Sequence, residues 1–133
     1  MREGWFGERY LIIFDEEESI KATSEYNLNM LPPGYRIEGL LSWDDFILSH
    51  KGRFYTCPTV PLAEEHIKPL PLKKLPKNLK RDPRYEGQIK WYVKPLAFGG
   101  DPELEENVYW ISHGEHRDLV KLWNTMLVNF KKE

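Results

Sequence analysis

Val108-Tyr109-Trp110-Ile111-Ser112-His113-Gly114-Glu115-His116-Arg117-Asp118-Leu119-Val120-Lys121-Leu122-Trp123 changes character at its middle, and that change decides the class of fold. The first four residues are β-branched or aromatic and read as a strand. Ser112 and Glu115 then have the spacing of a capping box, in which each side chain satisfies a backbone donor at a helix start. Leu119, Leu122, Trp123, Met126, Leu127 and Phe130 recur at helical spacing along one face. Lys131 and Lys132 suit the negative end of the helix dipole. A final strand followed by an amphipathic C-terminal helix packed on the sheet is the expectation.

Upstream, Arg9-Tyr10-Leu11-Ile12-Ile13-Phe14 is a continuous apolar run and reads as a buried strand. Asp15-Glu16-Glu17-Glu18 precede a short helix over Ser19 to Tyr26, which Leu31-Pro32-Pro33-Gly34 ends. Tyr35 to Leu40 alternates as a half-exposed strand. Ser42 is expected to cap a helical turn through Trp43-Asp44-Asp45-Phe46-Ile47-Leu48. His50-Lys51-Gly52 is a turn, Arg53 to Cys57 a strand, and Leu62 to Ile67 one helical turn. Gln88 to Phe98 resumes the sheet, with a break at Pro95. The fold expected is α+β, with a mixed or mainly antiparallel sheet and flanking helices.

The segment at about 68–84 stands apart. Four prolines (Pro69, Pro71, Pro76, Pro83) make it too proline-dense for a helix interior or a central strand. It is expected to be a long basic loop, or an arm crossing the domain.

At 133 residues, with five Trp, seven Tyr and six Phe, residues 1–133 suit a single domain with its own core. The lone Cys57 excludes an intramolecular disulfide, and its β-like context reads as a small buried hydrophobe. Met1-Arg2-Glu3-Gly4-Trp5 lacks the layout of a signal peptide, and no apolar run has membrane-spanning length. A cytoplasmic protein is expected.

The net charge of −2 conceals a segregated distribution. Residues 1–50 carry four Lys/Arg against ten Asp/Glu, and residues 51–100 carry eleven against four. Two opposed patches follow. Asp15, Glu16, Glu17, Glu18 and Glu25, with Glu38, Asp44 and Asp45, make a negative surface if the first helix lies beside the Trp43 turn. Such a surface speeds capture of a basic partner. The basic patch comprises Lys68, Lys73, Lys74, Lys77, Lys80, Arg81, Arg84 and Lys90, interleaved with Tyr85, Trp91 and Tyr92. Phosphate neutralisation with aromatic stacking holds single strands, so nucleic-acid binding through residues 68–94 is the alternative function. An acidic pI near 6.1 counts against it.

No nucleophile elbow, Ser-His-Asp layout or phosphate-cradling glycine loop is present, so no catalytic residue is nominated. Asp44 and Asp45 are adjacent and flanked by Trp43 and Phe46, but acids in a helical first turn already have a structural purpose. His113, Glu115 and His116 form the tightest group of metal-ligand types. Structural zinc needs four ligands and only capping is evident here, so solvated helix-start residues are expected and neither a metal nor a cofactor is assigned.

Phe98-Gly99-Gly100-Asp101-Pro102, Asn107 to Ile111, and His116-Arg117-Asp118-Leu119-Val120-Lys121-Leu122-Trp123-Asn124 resemble the C-terminal part of bacterial members of the SUKH superfamily. That superfamily includes fungal cell-wall-synthesis regulators and many bacterial immunity proteins. The resemblance covers about the last third of the chain, with weaker echoes in Gly34-Tyr35 and Leu41 to Phe46. It implies a SUKH-like α+β domain and neutralisation of a toxin, often a nuclease or deaminase, by direct binding. It carries over no catalytic motif. A nuclease must be basic to hold its substrate, and exposed aromatics are common anchors of interfaces. The partner-binding surface expected is therefore Glu16, Glu17, Glu18, Trp43, Asp44 and Asp45.

Overall fold

The computed structural model describes residues 1–26 and 29–132. The chain runs β1 (Arg2–Phe6), β2 (Arg9–Ile13), α1 (Glu16–Tyr26), β3 (Arg36–Leu41), β4 (Asp45–His50), β5 (Arg53–Pro58), β6 (Lys68–Pro69), β7 (Ile89–Tyr92), β8 (Val108–Ile111) and α2 (His113–Lys132). Strands β1 to β6 form one antiparallel sheet in chain order, and β7 pairs with β8 in a second, two-stranded sheet. The architecture is α+β, as the sequence predicts. Strand β1 lacks an apolar run and is visible only through its pairing with β2.

Both faces of the large sheet are covered. Tyr10, Ile12 and Phe14 join a core shared with Ala22 and Tyr26 of α1, Val120 of α2, and Ile89 and Trp91 of β7. Leu11 and Ile13 point the other way, into a smaller cluster with Leu41 and Ile47. Successive side chains on a strand alternate faces, so a run apolar at every position needs cover on both.

The proline-rich arm supplies the second cover. Lys68 and Pro69 pair with β5 at one edge of the sheet. At the far edge, Trp5 and Lys80 exchange backbone hydrogen bonds of 2.7 and 2.9 Å. Between these ties, Leu70, Leu75 and Leu79 pack on the Leu11 cluster. Lys73, Lys74 and Lys77 stay exposed. An extended strap suits prolines because few of its backbone N–H groups must enter a ladder.

One expectation is corrected. The helical turn expected over 43–48 is a β-hairpin: Ser42 and Trp43 take φ values of 50° and 62°, and β4 starts at Asp45. Two successive left-handed residues open a three-residue connection, 42–44, between the paired Leu41 and Asp45. Ser42 caps no helix. Its N–H donates to Tyr10 O at 2.7 Å instead.

The helix starts follow the sequence. Asp15 and Glu18 exchange reciprocal N-terminal hydrogen bonds (2.8 and 2.9 Å), as do Ser112 and Glu115 (3.1 and 3.2 Å). The buried line of α2, however, is His116, Val120 and Asn124, whereas Leu122 and Met126 are 52% and 44% exposed. At 3.6 residues per turn, the expected apolar stripe is rotated by roughly 100° from this line. Leu119 and Trp123 lie between the two and are partly buried. The side chains of Phe130, Lys131 and Lys132 lie outside the described residues.

Candidate functional site

The β3–β4 turn forms one wall of a pocket of about 430 Å³. Trp43, Asp44 and Asp45 come from the turn, Pro58 to Pro61 from the segment leaving β5, and Trp91 and Tyr92 from β7. Pro95 to Ala97 complete it. The size is that of a small-ligand or side-chain pocket, with mostly apolar walls and a few polar groups.

Trp43 is held by aromatic packing. Its ring stacks on Tyr10 at 4.8 Å and 15°, and meets Trp110, Tyr85 and Trp5 edge-on at 5.1, 5.4 and 6.2 Å. These contacts offset the unfavourable φ of a bulky residue in the left-handed region. Trp43 is 9% exposed, not the exposed anchor expected from the sequence, and its Nε1 is buried with no hydrogen-bond partner among the described residues.

Asp44 and Asp45 bear the site's negative charge. Burial pushes the Asp44 carboxyl up to about 6, with Lys90 opposing the shift and Asp45 adding to it. Burial also raises Asp45, against the pull of Arg9 and Lys68. Tyr92 donates its hydroxyl to Asp44 Oδ2 at 3.4 Å. Among the described residues, no cation lies within ion-pair distance of either carboxylate. The Lys90 ammonium sits over the Tyr92 ring instead, at 5.1 Å from its centre. Such a pocket suits a group with an apolar stem and a cationic head.

Two buried asparagines clasp the walls. Asn124 of α2 accepts from Leu62 N–H at 2.9 Å and donates to Thr59 O at 2.8 Å, fixing the segment after β5. Asn107 accepts from Lys94 N–H at 2.7 Å and donates to the carbonyls of Lys94 and Asp101 at 3.1 and 3.2 Å, fixing the loop that carries Pro95 to Ala97. Asn124→Ala orphans a buried donor and a buried acceptor, at a cost of roughly 1–3 kcal/mol each. The variant is expected to unfold at lower denaturant and to exchange the Leu62 amide faster. An unchanged Leu62 exchange rate would show that Asn124 does not hold this wall.

The other expected site residues lie elsewhere. Leu11 pairs with Leu41 at the hairpin end of the β2–β3 ladder, whereas Phe14 N–H bonds Glu38 O at the other end, where α1 begins. Glu16, Glu17 and Glu18 therefore do not join Asp44 and Asp45 in one surface. Glu18 pairs with the Met1 amino group at 2.7 Å, and Glu16 and Glu17 are exposed. Glu38 is engaged internally, accepting from the Ser49 hydroxyl at 3.0 Å, and Glu25 pairs with Arg117.

The helix-start histidines are not solvated. His116 is fully buried, with Nδ1 2.8 Å from the Tyr26 hydroxyl and its ring edge-on to Trp91 at 5.4 Å. Burial, with His113 and Arg117 nearby, pushes its pKa down to about 3, so the ring is neutral. Burial likewise lowers His113. Among the described residues, no group of three His, Cys, Asp or Glu side chains is placed to hold a metal. Cys57 is buried, its thiol pushed up by burial.

In the basic segment, Arg81 pairs with Glu86 and Arg84 with Asp82, both at 2.8 Å. Its aromatics are occupied too. Trp91 is buried and Tyr85 stacks on Trp110 at 5.0 Å.

No helix among the described residues is long and apolar enough to cross a membrane. No family model matches this chain, and neither a curated protein nor a solved structure matches it.

Proposed function

We propose that this chain is a protein-binding module of the immunity type, which neutralises a basic toxin, such as a nuclease, by direct contact in the cytoplasm of the producing cell. The observation that carries this reading is the pair Asp44 and Asp45, set without a paired cation among the described residues on the rim of an apolar pocket. Burying a carboxylate without a partner costs free energy, and a basic partner recovers it on docking. The SUKH resemblance at residues 98–124 points the same way. The alternative, nucleic-acid binding through residues 68–94, retains exposed lysines on the arm, but Tyr85 and Trp91 are committed to internal packing and are not free stacking platforms.

The test is charge reversal. With the toxin captured from the native cell, Asp44→Lys/Asp45→Lys is expected to slow association at low salt by roughly tenfold or more, with circular dichroism unchanged. An association rate equal to that of the unaltered protein at low salt would remove this surface as the binding site.

A further inference from the structure

Asp44, Trp43 and Tyr92 offer more than negative charge, because they specify what the partner must insert. Resting on the protein-binding reading above, we infer that the pocket receives a single arginine side chain of the partner. Two separate features of the pocket converge on this occupant.

The walls are apolar and partly aromatic, including Trp43, Trp91, Tyr92 and Leu96, which suits a hydrocarbon stem and a flat guanidinium that stacks on rings. The head of the pocket is the Asp44 carboxylate, with Asp45 beside it and no cation in ion-pair reach among the described residues. A guanidinium supplies several donors to such a carboxylate in a fixed fork. A lone cation, a purely apolar side chain and a metal ion each leave one of these features unanswered.

The charged groups facing Asp44 are Asp45, which reinforces its demand for a cation, and Lys90, which opposes it. Lys90 is drawn over the Tyr92 ring. Arg9 and Lys68 act on Asp45. Asp44 is thus the principal contact, and Asp45 a secondary one. Burial disfavours the ionised form of Asp44, so Asp44→Asn is expected to fold at least as well as the unaltered chain.

The experiment needs no toxin. N-acetyl-arginine amide is titrated into the full chain, and the Trp43 indole N–H and Tyr92 resonances are followed by NMR. Saturable shifts at both are expected. The isosteric but neutral N-acetyl-citrulline amide should bind about tenfold more weakly, as should N-acetyl-norleucine amide. In Asp44→Asn the arginine preference should disappear while the rest of the spectrum stays native. Equal binding of the citrulline or norleucine probe overturns the inference, as does arginine binding that Asp44→Asn leaves unchanged. N-acetyl-lysine amide binding as tightly as the arginine probe overturns the assignment to a guanidinium. The two readings fail separately: arginine shifts without capture of a basic partner sink the immunity reading alone. Capture that depends on Asp44 and Asp45, with no arginine shifts, sinks the pocket assignment alone.

Discussion

Acidification is expected to destabilise the native fold through His116, most clearly in an Asp44→Asn background. The folded pKa of His116 is about 3, against about 6.5 for an unfolded histidine, because the ring is buried against Tyr26 and Trp91. Between these values the unfolded chain binds the extra proton. The stabilising contribution is therefore complete above pH 6.5 and is lost as pH falls toward 3. The slope is about 1.4 kcal/mol per pH unit, so roughly 3 kcal/mol is gone near pH 4.5. Asp44 works in the opposite sense. Its folded pKa of about 6 lies above the ordinary value of 3.8, so the native state holds an extra proton between the two and gains stability as pH falls through 6. The two effects partly cancel from pH 6 to 4 in the unaltered protein. Asp44→Asn removes the compensation and exposes the histidine slope, and adding His116→Gln should reduce it, leaving the smaller part due to the lowered His113. Urea midpoints from pH 7 to pH 4 measure this. A double variant as acid-sensitive as Asp44→Asn alone would show that His116 is not the titrating group.

Gly39→Ala is expected to be the most damaging one-carbon change in the large sheet. A Cβ there would lie 2.0 Å from the carbonyl oxygen of Ile12, in the neighbouring strand β2. The obstacle is backbone within a central ladder, so it cannot swing away as a long side chain would. Gly39 also sits where the β3–β4 register shifts, after Ile37, a place where the chain bends and neighbouring backbones approach. A cost of roughly 3 kcal/mol or more is expected, by the overpacking logic of dense interiors. Gly52→Ala, in the β4–β5 turn, meets nothing within 4 Å and is strained only by its φ of 77°, so it is the milder control. Thermal unfolding of the two variants decides the point. Equal midpoints would mean that β2 yields to the added methyl at little cost.

Gly39 also shows where sequence reading stops. In Tyr35-Arg36-Ile37-Glu38-Gly39-Leu40 it is only a small residue following an alternating stretch, and the approaching carbonyl belongs to a residue 27 positions earlier. The Trp43 turn failed for a related reason. Ser42 followed by Asp44 and Asp45 satisfies the local rule for a helix start, and the usual Asn-Gly signature of a tight hairpin is absent. Pairing of Asp45 with both Leu41 and Pro58 decided the outcome. Nonlocal hydrogen bonds and Tyr10 stacking outweighed a modest capping preference. In α2 the local rules placed the cap correctly, but not the buried line. The helix turns inward the residues its neighbours can satisfy, and Asn124 and His116 have partners waiting in Thr59, Leu62 and Tyr26.

By itself the sequence determined the α+β class, the buried strand at Tyr10, the capped C-terminal helix and the extended arm. Each rests on periodicity, capping or proline chemistry acting within a few residues. The pocket was decided only by tertiary structure, since its walls come from residues 43–45, 58–61, 91–92 and 95–97, which lie far apart in the sequence. Trp43, Asp44 and Asp45 were legible as chemistry, as a charged and aromatic group, but not as a place. Their separation from Glu16, Glu17 and Glu18 follows from antiparallel pairing of β2 and β3, which sends the hairpin and the start of α1 to opposite ends of the sheet.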